Sequence, residues 1–533
     1  MDCRALQPHE LPHTTKLYRD YIENFGKLER FYEHAPECKQ VLACAKGLEF
    51  PEERRRQVSE VLHAQNVLFG SGEATRKNLD RLANGAVAVV SGQQVGLFGG
   101  PSYAFYKALT AIRAATELTE KGIEAVPVFW MATEDHDVDE VRHVAWFHEG
   151  ELLEFSLPKP EEDAVPVGRL RLGKEVEEFV ARVAPLLGQT FGEVLREAYT
   201  AGATYASAFA GLFAHIFSEH GLILLDPLDE QLHKIASPLF HKALARRDEL
   251  NDALLKRGKE LERAGYEAQV KVTSQSTLLF SLEEGKRQVI TATVEKFVGG
   301  AMAMPREDWL ERAEASPELF SPNALFRPVV QDYLLPTVAY FGGPAEIAYF
   351  AQSEVLYKEL LGRMPVLLPR ADFTLVDPKA ERILKKYGLK VEDVWEGSQR
   401  LRKKMYNSAV PKKLSQEFDD SLERIGKSIK KLHKAIAKVD PTIQGTIARA
   451  EKRITYQVEK LRGKTGAALD RHEKLIAKHE AFLENLLFPK KALQSRDLCF
   501  LPFLARWGSG GLDELQECAT LKKPGRHVIV PIP

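Results

Sequence analysis

Short apolar runs rich in β-branched residues alternate with helical stretches before residue 370. Five runs have the length and composition of strands: Ala86–Val90, Val126–Trp130, Leu222–Leu225, Thr337–Tyr340 and Val366–Leu368. Helical periodicity lies between them, at 102–120, 203–218 and 229–263. Such alternation is typical of βαβ units, and strands that are apolar along their whole length are typical of a parallel sheet covered on both faces. The pattern predicts an α/β fold built on a parallel sheet.

The spacing of the strands predicts further structure between them. About 90 residues separate the second strand from the third, far more than the roughly 12 that a crossover needs, so we expect an inserted lobe at about 150–218. Antiparallel alternation over 269–297 predicts a second insertion at about 266–325. We expect the core to span 1–378 and a helical domain to span 379–490. The apolar segment 491–533 is then expected to return to the core.

The segment 400–464 differs from the rest in charge and in periodicity. The chain has 74 Lys and Arg against 75 Asp and Glu, whereas this segment has 18 against 7. Its apolar residues recur every three or four positions from Phe418 to Leu461, which is the seam of a coiled coil. Asp440-Pro441 interrupts the pattern, as a proline does between helices. We expect a long antiparallel helical hairpin whose seam is covered by the opposite arm or by a second subunit.

The segment 86–115, "AVAVVSGQQVGLFGGPSYAFYKALTAIRAA", runs from a strand through a Gly-rich loop into a helix. Free N–H groups at a helix start favour an anion, and glycines let the backbone approach a ligand closely. Paired side-chain amides in such a loop need partners, which a ligand would supply. A structural turn between strand and helix is the alternative. The candidate substrate-binding residues here are Gln93, Gln94, Gly99, Gly100, Pro101, Tyr103 and Lys107.

The segment 126–141, "VPVFWMATEDHDVDEV", places acidic residues and a histidine directly after a strand. Binding residues of parallel sheets lie at the carboxyl ends of the strands. Close carboxylates raise one another's proton affinity, which suits acid–base chemistry, an amine or Mg²⁺. A solvated helix start, capped by Asp137 or Asp139, is the alternative. The candidate catalytic residues are Glu134, Asp135, His136 and Asp137, and no metal site is predicted.

A third segment, "AYFGGPAEIAYFAQSEVLY" at 339–357, again runs from a strand through Gly-Gly-Pro into a helix. Its candidate substrate-binding residues are Gly343 and Glu346. Arg370 follows the last strand and could bind a carboxylate or phosphate bidentately, or form an ion pair within the domain. Because neighbouring parallel strands end at one edge, we expect Gln94 and His136 to face each other across a shared cleft.

Four features together resemble one family, the cysteine-adding enzymes of bacillithiol biosynthesis. They are "SGQQVGLFGGPSYAFYK" at 91–107, "PVFWMATEDHDVDE" at 127–140, "FGGPAEIAYFAQ" at 341–352 and the hairpin that follows. The resemblance covers nearly the whole chain. It implies a Rossmann-type core, akin to class I nucleotidyltransferases, with connecting-peptide insertions and a coiled coil through which the family forms homodimers. The implied reaction joins the carboxylate of cysteine to the amine of glucosaminyl malate, giving bacillithiol, with ATP or ADP as the nucleotide.

Within this resemblance, amide formation requires an activated carboxylate, such as an adenylate or an acyl phosphate. We expect Gly99, Gly100 and Lys107 to stabilise the leaving anion. Arg370 would hold the malate.

The acidic cluster is expected to bind the amine substrate. Glu134, Asp135 or Asp137 would contact the sugar ammonium. His136 or a carboxylate would remove its proton.

A different class of function is the alternative: a synthetase-like protein whose basic helical arm binds RNA through phosphate contacts. The same charge also fits a solvated coiled-coil surface, so nucleic acid is the less favoured partner. The first residues have neither a basic nor an apolar leader segment, and no apolar run approaches the roughly 18 residues of a membrane helix. We therefore expect a cytoplasmic protein.

Overall fold

The computed structural model describes residues 3–161, 163–409, 412–438, 444–468, 473–508, 510–520 and 524–533. The chain forms two compact units. The first comprises Met1–Trp146, Leu153–Thr374 and Ser495–Val530, and the second comprises Phe147–Leu152, Leu375–Gln494 and Pro531–Pro533. Of the helices in these ranges, none combines the length and the apolar character needed to cross a membrane.

The strands, in chain order, are β1 (Arg4–Leu6), β2 (Val87–Gln93), β3 (Ala125–Met131), β4 (His143–His148), β5 (Glu151–Ser156), β6 (Ile223–Leu225), β7 (Ser276–Glu283), β8 (Lys286–Ala292), β9 (Lys296–Gly299), β10 (Met302–Pro305), β11 (Phe320–Pro322), β12 (Thr337–Gly342), β13 (Val366–Pro369), β14 (Asp372–Val376) and β15 (His527–Pro531). The helices of the first 245 residues are α1 (Lys16–Glu23), α2 (Cys38–Gly47), α3 (Glu52–Leu68), α4 (Glu73–Ala83), α5 (Tyr103–Glu120), α6 (Val138–Val141), α7 (Glu175–Val183), α8 (Gly188–Ala198), α9 (Tyr205–Ile216) and α10 (Glu230–Ala245). The later helices are α11 (Arg247–Arg263), α12 (Arg306–Ala315), α13 (Arg327–Leu334), α14 (Pro344–Leu360), α15 (Pro378–Tyr387), α16 (Val391–Trp395), α17 (Ser398–Ala409), α18 (Lys412–Ile436), α19 (Gln444–Ala468), α20 (Glu473–Leu487), α21 (Gln494–Asp497), α22 (Leu501–Trp507) and α23 (Gly510–Cys518).

The first unit is built on a five-stranded sheet with the order β13-β12-β2-β3-β6. Every neighbouring pair is parallel. The predicted parallel sheet is confirmed, and all five strands that the apolar runs indicated belong to it. The observed strand ends differ from the predicted ones by a few residues.

Both faces of this sheet are buried, which explains why its strands are apolar without alternation. In β2, Val87 and Val89 pack with α5 and α2 on one face. Ala88 and Val90 belong to the larger core on the other face, which includes side chains of α3, α4 and α14. A parallel sheet between two helical layers leaves the strand ends as the accessible edge.

A second sheet of the first unit is antiparallel, with the order β10-β9-β8-β7-β11. The alternation over residues 269–297 correctly indicated antiparallel strands there. The structure adds β10 and β11, whose short runs carry a weak sequence signal. Between β5 and β6, where an inserted lobe was expected, the chain forms the helices α7, α8 and α9.

The second unit is helical, and its longest helices, α18 and α19, pack antiparallel. Arg462 Nη1 of α19 lies 2.9 Å from Asp419 Oδ1 near the start of α18. The predicted helical hairpin is thus confirmed for the described residues. The predicted break at Asp440-Pro441 lies outside them. Helix α19 continues without a break through Gly463 to Ala468.

Segments from the two ends of the described chain meet in the first unit. Strand β1 pairs antiparallel with β15, so that Leu6 lies opposite His527. Nearby, Cys3 Sγ and Cys518 Sγ are 3.8 Å apart. The ring of Phe500, just before α22, is buried and lies 5.3 Å from that of Phe105 in α5. The apolar character of this late segment follows from its packing on α5.

Candidate active site

A cavity of about 620 Å³ lies at the carboxyl ends of the parallel strands. Its lining comes from the ends of β2, β3 and β12, from the starts of α5 and α14, and from the residue that follows β13. The opposite wall comes from β7, β8 and the segment 322–325. The lining residues all belong to the first unit. The cavity therefore occupies the edge at which parallel sheets bind ligands.

The two motifs predicted to face each other do so through Gln94 and Asp135. Gln94 Nε2 donates to Asp135 Oδ2 at 2.6 Å. The other carboxylate oxygen, Oδ1, accepts from the backbone N–H of His136 at 2.7 Å. Gln94 Oε1 is buried and has no hydrogen-bond partner among the described residues. This pair joins the ends of β2 and β3 and leaves an acceptor for a ligand.

Lys107 and Glu346 form a buried ion pair in the cavity wall. Lys107 Nζ lies 2.5 Å from Glu346 Oε2 and donates to Gly92 O at 2.7 Å and to Gln93 Oε1 at 2.8 Å. Glu346 Oε2 also accepts from the Gly343 N–H at 2.8 Å. Burial by itself raises the pKa of Glu346, but Lys107 and the Gly343 N–H lower it below its ordinary value. The charge of Lys107 is therefore already balanced within the protein.

The other predicted loop residues, Gly99, Gly100 and Pro101, do not line the cavity. The Gly99 N–H donates to Gly96 O at 3.0 Å and the Gly100 N–H to Leu97 O at 2.9 Å, while proline has no N–H. The prediction of free N–H groups for an anion is therefore wrong at these positions. The sequence pattern did not show that carbonyl groups of the same turn, those of Gly96 and Leu97, accept these hydrogen bonds.

The Gly-rich loop is instead a tightly packed turn. Phe98 and Gly99 have φ values of 52° and 86°, a region that glycine enters without strain. The ring of Phe98 lies 5.9 Å from that of Trp146 and 4.9 Å from that of Tyr199. A Cβ atom on Gly99 would lie 2.5 Å from Phe105 Cζ. These contacts support the structural alternative for this turn.

Of the acidic cluster, Glu134 and Asp135 line the cavity, whereas His136 and Asp137 do not. His136 Nδ1 lies 3.2 Å from Arg287 Nη1 and accepts its hydrogen bond. The exposed Asp137 caps α6, because its side chain accepts from the Asp139 N–H at 3.1 Å. The capping alternative therefore holds for Asp137, and the structure does not bring it to the site.

Glu140 lies in the short helix α6, directly after the acidic cluster, and also lines the cavity. Partial desolvation of this exposed side chain raises its pKa, and the neighbouring carboxylates of Asp137 and Asp135 raise it further. A carboxyl group with a raised pKa is better suited to exchange protons near neutral pH. Glu140 is thus a stronger acid–base candidate than Asp137.

Arg370 lines the cavity beside Tyr103. Its guanidinium lies 5.4 Å from the centre of the Tyr103 ring, and its Nη1 donates to Asp372 Oδ1 at 2.7 Å. The Tyr103 hydroxyl accepts from Gln93 Nε2 at 3.2 Å. Burial raises the pKa of Tyr103 to about 12, which keeps the phenol neutral. The ion pair within the domain that was considered for Arg370 is therefore present, and binding of a carboxylate or phosphate stays a prediction.

Two further cations, Arg327 and Arg496, line the cavity and were missed in the sequence. Arg327 Nη2 donates hydrogen bonds to two tyrosine hydroxyl groups, Tyr349 Oη at 3.2 Å and Tyr340 Oη at 3.4 Å. Arg496 is exposed and has no ion-pair partner within the described part of the chain. Neither belongs to a recognisable motif, so only the folded chain brings them to the strand ends.

The lining as a whole is cationic, with seven Lys and Arg against four Asp and Glu among the described residues. The wall formed by β7 and β8 contributes Arg287, whose guanidinium lies 3.9 Å from the centre of the Phe280 ring. Such a cavity suits a ligand with several negative groups and one positive group. Within the described residues, no cluster of three or more His, Cys, Asp or Glu could hold a metal ion.

Comparisons with known proteins match both units of the chain. The model of the "Bacillithiol biosynthesis BshC, N-terminal Rossmann-like domain" matches residues 1–371, and that of the "Bacillithiol biosynthesis BshC, C-terminal coiled-coil domain" matches residues 373–531. A protein of Koribacter versatilis is 41% identical over 520 residues, with 97% of each chain covered. One of Solibacter usitatus is 36% identical over 515 residues, with 95% of this chain and 96% of the relative covered. One of Geobacillus kaustophilus is 29% identical, with 98% of each covered. All three carry the name "Putative cysteine ligase BshC".

Proposed function

Because this chain belongs to the BshC family of bacillithiol biosynthesis, we propose that it joins the carboxylate of cysteine to the amine of glucosaminyl malate. The expectation of a ligase-type enzyme agrees with the names of its relatives. The proposal specifies both substrates, whereas the names of the relatives do not specify the amine substrate. Its product is the amide bacillithiol.

The observation that carries the proposal is the mixture of charges in one cavity. Glucosaminyl malate has an ammonium group on the sugar and two carboxylates on the malate. The cavity offers the carboxylates of Glu134 and Asp135 at the end of β3 and the guanidinium groups of Arg370 and Arg496. Guanidinium groups bind carboxylates bidentately, and carboxylates bind an ammonium. We assign Glu134 and Asp135 to the ammonium, and Arg370 and Arg496 to the malate.

The bond changes define what the site must do. The amine nitrogen attacks the carboxyl carbon of cysteine, the C–N bond forms, and a C–O bond to the leaving group breaks. The attacking nitrogen must first lose a proton to a base. Glu140, with its raised pKa, is our candidate for that base. His136 is less suited, because its Nδ1 already accepts from Arg287.

Activation of the cysteine carboxylate by ATP is part of the proposal. A nucleoside triphosphate would supply the leaving group for the carboxyl oxygen. Arg327 fits a phosphate, because it lines the cavity and its described side-chain partners are hydroxyl and amide groups rather than carboxylates. The Gly-rich turn does not fit a phosphate cradle, since the N–H groups of Gly99 and Gly100 are already bonded.

Homodimer formation through the helical arm is also a proposal. Several apolar side chains of α18 and α19 are exposed within the chain, among them Leu432 and Leu461 at 58% each and Ile454 at 42%. Exposed apolar positions along a coiled-coil seam are typical of helices that pair with another chain. A second copy would cover them.

RNA binding by the arm remains the alternative. Part of the basic charge is neutralised within the arm, where Lys427 Nζ lies 2.7 Å from Glu423 Oε1 and Arg462 Nη1 lies 2.9 Å from Asp419 Oδ1. This pairing weakens the case for a phosphate-binding surface.

The direct test is to incubate the purified protein with cysteine, glucosaminyl malate and ATP and to detect bacillithiol by mass spectrometry. We expect product with the wild type and roughly 100-fold slower formation with Glu140→Gln, which removes the proposed base. Asp139→Asn is the matched control, because Asp139 is exposed and pairs with Arg142 outside the cavity. Parallel reactions with ADP or without nucleotide test the activation step. If no bacillithiol forms in any of the three reactions, with ATP, with ADP or without nucleotide, the proposal is refuted.

A further inference from the structure

Glu134 stands between the main cavity and a second, much smaller one. The small cavity has a volume of about 10 Å³, and Trp130, Glu134 and His233 are among its lining residues. Trp130 and Glu134 also line the 620 Å³ cavity, so they form part of the wall between the two. A space of this size is comparable to that of one water molecule.

Each of these three side chains has a buried polar atom without a hydrogen-bond partner among the described residues. The atoms are Trp130 Nε1, Glu134 Oε1 and His233 Nδ1. Glu134 is 5% exposed and His233 is 4% exposed. An unsatisfied buried polar atom costs about 1–3 kcal/mol, and a charged one costs more. All three side chains line the small cavity, whose other seven lining residues are apolar.

His233 is fixed in this site by its position at the start of α10. Its Nε2 donates to the backbone carbonyl of Pro227 at 2.8 Å and lies 3.5 Å from Glu134 Oε1. Burial by itself lowers the pKa of His233, but its contact with the charged Glu134 raises that pKa above its ordinary value. The neighbouring carboxylate therefore favours the protonated form of His233. His233 does not line the main cavity.

We propose that His233 is a positioning residue that orients the Glu134 carboxylate for the ammonium group of the amine substrate. The inference deepens the proposed function and rests on it. His233 contacts Glu134 from the small cavity, where its Nε2 lies 3.5 Å from Oε1. Glu134 also lines the main cavity, where the ligand would meet its carboxylate.

Binding measurements test this role without turnover. We compare the wild type with His233→Gln, Glu134→Gln, the double variant and His241→Gln by calorimetry, using glucosaminyl malate and cysteine separately. His241 is the matched control, because it lies on the same helix α10 and its side chain is 37% exposed. We expect His233→Gln to weaken glucosaminyl malate binding about tenfold, as loss of a charge-assisted contact does. Cysteine binding and the His241→Gln variant should be unchanged.

The double variant identifies the partner through which His233 acts. We expect the double variant to bind glucosaminyl malate no more weakly than Glu134→Gln alone. Each change already disrupts the His233–Glu134 pair, so the second change has nothing further to remove. Equal weakening of glucosaminyl malate and cysteine in His233→Gln would show a merely structural role and overturn the inference. Wild-type affinity in His233→Gln would overturn it as well.

The protonation state of His233 gives a readout that requires no substrate. In the protein labelled with ¹⁵N-histidine, we expect His233 to show two protonated ring nitrogens near neutral pH and to become neutral in Glu134→Gln. The His233 signals are assigned by their loss in His233→Gln, or in His233→Asn should the first variant fail to fold. A neutral His233 that is insensitive to Glu134→Gln would overturn the inference alone. A wild type that binds no glucosaminyl malate would overturn the proposed function and, with it, the ammonium assignment.

Discussion

The Lys107 ammonium lies 2.5 Å from the Glu346 carboxylate, which connects α5 to α14 in the cavity wall. Both groups follow Gly-rich turns at the ends of adjacent strands, β2 and β12. The lysine that the sequence pattern assigned to a ligand is thus part of the framework of the site. The contact fixes the relative placement of two strand-end segments that carry other cavity residues.

Lys107→Met should destabilise the protein by about 3 kcal/mol, because it leaves the carboxylate of Glu346 buried without its cation. Urea unfolding measures the loss. The double variant Lys107→Met/Glu346→Gln is the control, since the Glu346→Gln change removes the charge and keeps an acceptor for the Gly343 N–H. We expect the double variant to be more stable than the sum of the single changes implies. Additive losses would show that the two groups do not act as a pair.

Gly99→Ala should cost about 2–4 kcal/mol of unfolding free energy, because it combines backbone strain at positive φ with overpacking. The new Cβ would lie 2.5 Å from Phe105 Cζ. Gly122→Ala is the matched control, since Gly122 has a φ of 81° and a Cβ atom added there would meet nothing within 4 Å; it should cost only about 1 kcal/mol. Substrate affinity of folded Gly99→Ala should stay near that of the wild type. A selective loss of affinity would restore a ligand role for the turn.

Arg496→Ala should weaken glucosaminyl malate binding about tenfold, or about 1.4 kcal/mol, and leave stability within about 0.5 kcal/mol. The side chain is exposed and has no ion-pair partner among the described residues, so its removal disturbs little else. Calorimetry with glucosamine, which lacks the malate, is the control and should show no change. If Arg496→Ala weakens the binding of glucosaminyl malate and of glucosamine equally, Arg496 does not contact the malate group.

Asp372→Asn should reduce stability by about 3 kcal/mol near pH 6. Burial alone would raise the pKa of Asp372, but Arg370 and His527 hold it well below its ordinary value. A lowered pKa in the folded state gives stability that is present above the unfolded pKa of about 3.9 and lost as the pH falls below it. Unfolding curves of both proteins between about pH 6 and pH 3 should therefore converge toward acid. If the difference in unfolding free energy between the two proteins does not change with pH, the ionised Asp372 carboxylate does not stabilise the fold.

Leu432→Lys and Leu461→Lys should convert a dimer into a monomer if a second copy covers these exposed side chains. Sedimentation velocity distinguishes one chain mass from two. Ser428→Lys is the control, because Ser428 is an exposed polar position of the same helix α18. A wild type that sediments as a monomer would refute the dimer proposal.

The sequence predicted the features that depend on local pattern. Five buried parallel strands were visible because each is a continuous apolar run, as at Val126–Trp130. The rule that parallel strands end at one edge led to the expectation that Gln94 and His136 face each other. The strand ends do meet, but Gln94 contacts the neighbouring Asp135, and His136 does not line the cavity. These expectations needed no knowledge of distant contacts.

The features that were missed depend on residues far apart in the chain. Arg327 and Arg496 reach the cavity only after the later elements have packed. The start of α5 looked like an anion site, yet the Ser102 N–H donates to Leu498 O at 2.7 Å. His233 belongs to no recognisable sequence motif. Its proposed role follows from the 3.5 Å distance between its Nε2 and Glu134 Oε1. Pattern rules report periodicity, whereas such pairings are set by tertiary packing.

The strand order β13-β12-β2-β3-β6 has a consequence for synthesis of the protein. The central strand β2 leaves the ribosome long before β12, its neighbour on one side, and the bond from Ser91 Oγ to Phe341 O spans 250 positions. Such non-local pairing is slow and leaves strand edges without partners in the nascent chain. The antiparallel insertion β7–β11 is built mostly from sequential neighbours and can form earlier. Strands β7 to β10 can therefore pair while β2 still lacks its neighbour β12.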